Sequence, residues 1–241
     1  MNFLVIIPTY NENKNIASLL SLIESLNVNI NLEVLVIDDA SPDGTAETIK
    51  KIMIDNNKIH LIERSGKLGL ASAYCEGFKW ALDNNYDYII QMDADLSHDP
   101  NDILKFIKQA NSSDIVVGSR YKTGVNVVNW PLRRLILSYF ANIYARIFTG
   151  INIYDLTSGF KCIKANILNQ INLDKIRSEG YSFQIEINFL LWLKGCSIKE
   201  IPITFTDRTV GDSKMSKKII YEAIYMVPML RLKKILRVNF D

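Results

Sequence analysis

The sequence predicts an α/β fold in which a mostly parallel central sheet is flanked by helices. Two observations favour this class. In the first half of the chain, short runs of apolar, β-branched residues alternate with stretches of helical periodicity. The strand candidates are also apolar throughout rather than at every second residue, which is typical of strands that helices cover on both faces.

The elements follow in chain order from this alternation. Residues 3–7 form the first apolar run, which is too short for a signal peptide and predicts a buried strand. Further strands are predicted at 33–38, 58–63, 87–92 and 114–118, with helices near 13–27, 44–56, 69–84 and 100–110. The second half is less regular, with helices predicted at 132–149, 181–194 and 217–238, a turn into a strand at 155–161, a strand at 197–204 and a polar loop at 206–216.

Composition limits the class of protein. The chain has 241 residues, of which 48% are hydrophobic, so one domain with an appendage can bury a sizeable core. There are 28 Lys and Arg against 26 Asp and Glu, and this net charge of +2 excludes a broadly basic nucleic-acid binder. Three scattered cysteines form no metal-binding spacing and favour reduced thiols in the cytoplasm. No apolar run approaches the ~20 residues that a transmembrane helix needs.

Polar clusters follow four of the predicted strands, at residues 8–12, 38–45, 93–95 and 118–121. In an open parallel sheet the carboxyl ends of the strands share one edge, and ligands bind in the crevice beside it. We therefore expect these clusters to form one site.

Asp93 and Asp95 are the most informative pair in the sequence. Residues two apart in an extended segment point the same way, so both carboxylates face one side at a strand end. They repel each other unless a cation lies between or beside them. Mg²⁺ or Mn²⁺, completed by substrate phosphates, suits this arrangement. Alone, the pair fits a solvated acidic loop equally well, and the other strand ends favour the metal site.

The remaining acidic and aromatic candidates have structural alternatives. Asp39 can accept hydrogen bonds from a base or ribose. The structural alternative is that Asp39 caps the next helix, but Asp43 or Ser41 suits that role better. Taken in isolation, Tyr10 is explained by packing, and Glu12 is explained by the positive N-terminus of the next helix.

Basic residues and glycines complete the candidates. Five basic residues lie near predicted loops, and each of them either meets a phosphate or is solvated. They are Arg120, Arg133, Arg134, Arg208 and Lys214. His98 is either a base or ligand, or a packed residue at a helix start. Residues 66–70 lack P-loop spacing and no GxGxxG motif occurs, which argues against P-loop NTPases and dinucleotide dehydrogenases.

The strand ends contain three longer motifs, VIIPTYNE at 5–12, VIDDASPDGT at 36–45 and MDADLSH at 92–98. Together these motifs resemble those of family 2 glycosyltransferases of the GT-A fold. Later motifs, LTSGF at 156–160, GYSFQIE at 180–186 and the segment 202–216 with its GDSKMS sequence, are similar to those of dolichol-phosphate (polyprenol-phosphate) mannosyltransferases. The resemblance extends to about Ser216, and the later motifs are the more specific ones.

The resemblance implies residue roles. The guanosine of the donor would be held by Pro8, Tyr10, Glu12, Ile37 and Asp39. The diphosphate–metal motif would be Asp93, Ala94 and Asp95, with Asp93 and Asp95 as metal ligands and Asp95 the stronger. Cations that meet donor or acceptor phosphates would be Arg120, Arg208 and Lys214, and the acceptor phosphate would lie near Arg120 and Arg133. Asp95 and Arg120 are the expected catalytic residues. Some relatives carry Gln where Ser97 stands. The Ser side chain is shorter, so direct contact between Ser97 and the metal stays an open question.

The resemblance also implies the reaction, an inverting transfer of mannose from GDP-mannose to a polyprenyl (dolichyl) phosphate with Mg²⁺ or Mn²⁺ as cofactor. Residues 1–216 would form the catalytic domain. Residues 217–241 would form a basic amphipathic helical tail that either meets a membrane or packs on the domain. We expect a cytoplasmic protein that is peripheral on the cytoplasmic face of a membrane, without transmembrane helices or a nucleic-acid partner. Any membrane-anchoring partner stays open.

Three alternatives remain at this point. A related transferase could use UDP-glucose or another nucleotide sugar. A nucleotide-sugar sensor could bind without catalysing transfer. An aspartate-nucleophile phosphatase is more distant, because the DxDx[TV] motif of that class has Ser97 at its last position here.

Overall fold

The computed structural model describes residues 1–176, 178–207 and 217–236, without the side chains of residues 217–220 and 233. Within these residues the centre is a seven-stranded sheet in the order β3-β2-β1-β4-β7-β5-β8. The strands are β1 (Asn2–Thr9), β2 (Asn31–Asp38), β3 (Ile59–Glu63), β4 (Tyr88–Gln91), β5 (Ile115–Ser119), β6 (Val127–Val128), β7 (Lys161–Lys164), β8 (Ile198–Pro202) and β9 (Phe205–Thr206). Strands β6 and β9 pair separately in parallel.

The strand directions confirm a mostly parallel sheet. Strand β7 is the exception and runs antiparallel to both of its neighbours, β4 and β5. The other neighbouring pairs of the sheet are parallel. Strands β1, β2, β4 and β5 therefore end at one edge, which we call the rim, and the polar clusters predicted from the sequence follow these ends.

Helices cover both faces of the sheet. They are α1 (Asn13–Glu24), α2 (Thr45–Asp55), α3 (Leu70–Asp83), α4 (Asp102–Gln109), α5 (Leu132–Thr149), α6 (Gly180–Leu193) and α7 (Lys217–Ile235). Leu4 and Ile6 of β1 face the core layer that includes α3 and α6, and the alternate residues Phe3, Val5 and Ile7 face the layer that includes α1 and α4. This two-sided burial explains why the first strand is apolar at every position.

The second half departs further from the predicted elements. The strand expected at 197–204 is shorter, since β8 ends at Pro202, and a separate strand that was not predicted, β9, begins at Phe205. Helix α7 packs through Met226, Val227 and Leu230 into the core layer that contains α6. The division into 1–216 and 217–241 stays a prediction. Among the described residues, no helix is long and apolar enough to cross a membrane.

Candidate active site

Asp93 and Asp95 lie just beyond the end of β4, at the rim. Both are partly exposed, while Ala94 between them is buried. Leu96 takes a positive φ of 59°, and the turn lets the Ser97 N–H donate to Asp95 Oδ1 at 3.1 Å. The turn therefore fixes the Asp95 carboxylate while leaving both aspartates accessible.

His98 supports this loop from the interior. The Asp93 N–H donates to His98 Nδ1 at 3.3 Å, and the imidazole stacks on Phe160 with the ring centroids 4.6 Å apart. The residue is only 2% exposed, and burial lowers the pKa of His98 to about 4, so the ring is neutral at pH 7. These contacts support the packing role considered for His98 rather than the role of a base or ligand.

Tyr74 of α3 is a second support, which sequence reasoning missed. Its ring is fully buried and stacks on Phe183, and its hydroxyl lies 3.4 Å from the Met92 carbonyl oxygen and beside the Asp93 carboxylate. Burial, followed by the nearby Asp93 and Asp95 charges, raises the pKa of Tyr74 well above its ordinary value. The phenol therefore keeps its proton and can donate a hydrogen bond.

Asp39, just after β2, is bound to Arg64, just after β3, in a buried ion pair. Its Oδ2 atom accepts the N–H groups of Leu68 and Gly69, each at 3.0 Å. Asp39 is 6% exposed and shapes the loop that leads into α3. Its contact with a nucleoside stays a prediction. Arg64 was not among the predicted residues, although it follows a strand end as they do.

The other residues predicted to hold the donor nucleoside differ in accessibility. Tyr10 lies at the rim, where Lys67 Nζ is 4.1 Å from its ring centroid. Glu12 is 8% exposed, and Pro8 is partly buried. Ile37 is completely buried in the core, so it offers no side-chain surface to a ligand in this structure.

Arg120, just after β5, carries a buried positive charge. Its guanidinium donates to both carboxylate oxygens of Asp155, at 2.7 and 2.6 Å, and to Thr157 Oγ1 at 2.7 Å. Arg120 is 3% exposed and Asp155 is fully buried. Burial acts to lower the pKa of Arg120, but Asp155 outweighs it and holds the pKa above its ordinary value. The solvated alternative considered for Arg120 is therefore wrong.

Two further contacts hold this pair in place. Glu200 Oε1 accepts the N–H groups of Tyr154 and Asp155, at 2.8 and 2.9 Å. On the other side, the guanidinium carbon of Arg120 lies 5.4 Å from the Trp130 ring centroid. Separating the pair would leave an uncompensated buried charge, so we expect its geometry to be firmly fixed.

An apolar cavity of about 240 Å³ opens between α5, α6 and α7. Its lining includes Trp130, Phe140, Tyr181, Ile185 and Val227, together with Arg134 and Thr157. Because Thr157 also accepts a hydrogen bond from Arg120, the cavity begins directly beside the buried charge. Arg134 lines the cavity and pairs with Asp207 at 2.6 Å, whereas the predicted acceptor residue Arg133 is exposed at the start of α5.

Two predicted cations, Arg208 and Lys214, lie outside the described residues. The described segment that precedes them lies against the aspartate loop. The Thr206 N–H donates to the Ser97 carbonyl at 3.1 Å, and Phe205 forms a β-bridge with His98.

The oxygen donors at the rim fit a divalent cation that a phosphate substrate helps to bind. Within the described part of the chain, no three His, Cys, Asp or Glu side chains gather into a metal site of their own. Asp93 and Asp95 instead offer a partial set of hard ligands, which Mg²⁺ and Mn²⁺ accept when phosphate oxygens complete the coordination. The Ser97 hydroxyl is buried and has no hydrogen-bond partner in the part of the chain that the structure describes.

The class of protein follows from comparison with known families. Residues 4–171 match the family described as Glycosyl transferase family 2. The chain belongs to this family and is a glycosyltransferase, which confirms the resemblance of its motifs at 5–12, 36–45 and 92–98.

Two curated relatives are similar over nearly the whole chain. An undecaprenyl-phosphate mannosyltransferase from Micrococcus luteus is 40% identical over 227 residues, which cover 94% of this chain and 93% of the relative. A polyprenol monophosphomannose synthase from Mycolicibacterium smegmatis is 40% identical over 226 residues, which cover 93% of this chain and 84% of the relative.

Solved structures confirm the GT-A fold. Glucosyl-3-phosphoglycerate synthase from Mycobacterium tuberculosis, solved with Mn²⁺, UDP and phosphoglyceric acid, has a TM-score of 0.67 at 15% identity, covering 95% of this chain and 78% of that one. A mannosyltransferase from Pyrobaculum calidifontis, solved with GDP-Man and Mn²⁺, has a TM-score of 0.63 at 18% identity, covering 99% of this chain and 65% of that one.

Proposed function

We propose that this protein transfers mannose from GDP-mannose to the phosphate of a polyprenyl phosphate, with inversion at the anomeric carbon. The observation that carries the proposal is the position of the apolar cavity, which begins at Thr157 beside the buried Arg120. A phosphate on a long hydrocarbon needs a positive charge and an apolar channel side by side. The names of the two curated relatives support this acceptor, and the neighbour solved with GDP-Man supports the donor.

The donor is proposed to lie along the rim. The nucleoside would be held by Pro8, Tyr10, Glu12 and Asp39, and Ile37, whose side chain is buried in the core, would contribute only its backbone. Asp93 and Asp95 would hold Mg²⁺ or Mn²⁺ against the diphosphate, with Ala94 between them. The bound cation would supply Lewis-acid stabilisation of the negative charge that develops on the departing nucleoside diphosphate.

The acceptor is proposed to supply its own nucleophile. The second pKa of a phosphate monoester is near ~6, so its oxygens are anionic at neutral pH. One phosphate oxygen forms the new bond to the anomeric carbon, while the bond from that carbon to the donor diphosphate breaks and GDP leaves with the electron pair. No strong general base is required, and the neutral, buried His98 agrees with that.

Basic side chains would reduce the repulsion between the two phosphate-bearing substrates. The fixed charge of Arg120 would face the acceptor phosphate, with Arg133 at the exposed start of α5. Arg208 and Lys214, on the segment that follows Asp207, would meet the donor diphosphate. Exclusion of water from the site matters because hydrolysis of the donor is the competing reaction.

The experiment is a transfer assay with radiolabelled GDP-mannose, polyprenyl phosphate and Mg²⁺ or Mn²⁺, followed by extraction of the lipid phase. We expect label in the lipid phase, lost with EDTA and reduced at least about a hundredfold in Asp95→Ala. Asp83→Ala is the matched control, because Asp83 is an exposed carboxylate at the far end of α3. UDP-glucose run in parallel tests the sugar donor.

The outcomes separate the alternatives. Free mannose without lipid-bound label would falsify the transferase proposal, and release of inorganic phosphate from polyprenyl phosphate alone would indicate a phosphatase. Transfer from UDP-glucose in preference to GDP-mannose would show that the donor is UDP-glucose, while the acceptor would still be polyprenyl phosphate.

The exposed faces of α5 and α7 support a peripheral position at a membrane, and the cytoplasmic face stays a prediction from the sequence. Large apolar side chains stand exposed there, including Phe140 at 62% and Ile147 at 71% on α5, and Tyr225 at 74% and Ile235 at 65% on α7. These helices also line the apolar cavity. Apolar side chains beside Lys and Arg suit the interface of an anionic leaflet.

Flotation with anionic vesicles tests this position. We expect the wild-type protein to float and the double variant Phe140→Asp with Tyr225→Asp to remain with the soluble fraction. Ile54→Asp is the matched control, because Ile54 is an equally exposed apolar residue on α2. Equal flotation of all three proteins, or of none, would exclude the proposed surface.

A further inference from the structure

Gln184 lies in α6 and is 2% exposed. Its side-chain oxygen Oε1 is buried and has no hydrogen-bond partner among the described residues. Such an amide reduces stability, because water satisfies the group in the unfolded chain and nothing replaces that water after folding. The chain therefore keeps a polar side chain where an apolar one would favour folding.

The Gln184 amide and the Asp93 carboxylate both border the space that Gly159, which has no Cβ atom, leaves open. A Cβ atom placed on Gly159 would lie 3.6 Å from Gln184 Nε2 and 3.7 Å from Asp93 Oδ2. The space is therefore bordered by a carboxylate and by the nitrogen end of an amide whose oxygen is unpaired among the described residues. An amide presents both a donor and an acceptor, and either of these suits a hydroxyl group.

The neighbours of Gln184 on α6 place this space between the two proposed substrates. Tyr181, three residues before Gln184 and therefore its neighbour on the helix surface, lines the apolar cavity together with Ile185 and Thr157. The order along the site is therefore Asp93, Gln184 and then the cavity. In the proposed reaction the sugar passes from the donor diphosphate at Asp93 to the acceptor phosphate at the cavity. The sugar is therefore the group that lies between these two phosphate sites.

We infer that the Gln184 amide binds a hydroxyl of the hexose carried by the donor and thereby helps to orient and select that sugar. This inference rests on the proposed function and adds a sugar-binding residue to it. A site that is built to bind a hydroxyl discriminates against sugars that lack it or hold it in another direction, since its buried polar group is then left unpaired. The nucleoside and diphosphate of the donor have no part in this contact.

The test compares two ligands that differ only in the sugar. Binding of GDP and of GDP-mannose, each with Mn²⁺, is measured by calorimetry on the full chain for the wild type and for Gln184→Met, which keeps the side-chain length and removes the amide. We expect the affinity for GDP-mannose to fall about tenfold while the affinity for GDP stays within about twofold. Mannosyl transfer should fall with it.

Ser182→Ala is the matched control, because Ser182 lies on the same helix and is fully buried with a hydroxyl that is unpaired among the described residues, but unlike Gln184 it is not among the atoms nearest the Gly159 Cβ position. It should change neither affinity. If Gln184→Met does not fold, Gln184→Asn, which withdraws the amide by one methylene, gives the same comparison. Equal losses of affinity for GDP and for GDP-mannose in Gln184→Met, or no loss of affinity for either ligand, would overturn the inference. A wild type that binds GDP-mannose without transferring mannose would instead overturn the proposed function.

Discussion

The two sides of the rim hold their charges in opposite ways. On the donor side, Asp93 and Asp95 are partly exposed carboxylates that fit a cation arriving with the substrate. On the acceptor side, Arg120 and Asp155 are buried and bound to each other before any ligand is present. The difference is that the donor side is proposed to gain a metal ion together with its substrate, whereas on the acceptor side Asp155 already compensates the charge of Arg120 and fixes the guanidinium in place.

The largest effect should come from breaking the built-in pair. Asp155→Asn removes the charge that compensates Arg120 while keeping the volume, and we expect the free energy of unfolding to fall by about 3–5 kcal/mol. Urea denaturation measures this. Asp207→Asn is the control, because its pair with Arg134 is more exposed, and it should cost about 1 kcal/mol or less. Equal losses in the two variants would show that burial does not distinguish the pairs.

The same comparison separates what the sequence predicts from what it does not. The rim could be predicted, because each cluster follows an apolar strand and parallel strands end together. The partners could not be predicted in the same way. Asp155 is 35 positions from Arg120, and Arg64 is 25 positions from Asp39, and only the folded chain brings them together. Tyr74 has the pattern of an ordinary core residue, so its contact with the metal motif leaves no local signal.

The next effect concerns the donor side. Tyr74→Phe keeps the ring that stacks on Phe183 and removes the hydroxyl beside Asp93. We expect the affinity of the protein–GDP complex for Mn²⁺ to fall by about tenfold, because outer hydrogen bonds orient metal-binding carboxylates. Calorimetric titration with Mn²⁺ measures this. Tyr86→Phe, which removes a hydroxyl bound to Glu33 at 2.6 Å, should leave that affinity unchanged. The same affinity in both variants would contradict the role of Tyr74.

A third effect, on stability, concerns Lys161 on β7, between the two sides. Its amine is fully buried and donates to Asn188 Oδ1 at 3.0 Å, and burial lowers the pKa of Lys161 from 10.5 to about 7. Between these pH values the unfolded chain binds more protons than the folded one, so this group makes stability rise with pH.

Lys161→Met removes that contribution. We expect the unfolding free energy of the wild type, relative to Lys161→Met, to increase from pH 7 to pH 9. Denaturation curves for both proteins at each pH provide the measurement. A difference that stays constant with pH would mean that the buried amine does not titrate in this range.

The central claim is that one rim joins a nucleotide-sugar site to a hydrocarbon cavity. The most direct measurement is the rate of mannosyl transfer from GDP-mannose to phosphates of increasing hydrocarbon length, from a phosphate without a chain to polyprenyl phosphate. Since each buried CH₂ contributes about 0.8 kcal/mol, we expect the acceptor KM to fall by about tenfold or more over the series, with the KM for GDP-mannose unchanged. An acceptor KM that is the same for a phosphate without a hydrocarbon chain as for polyprenyl phosphate would contradict the claim.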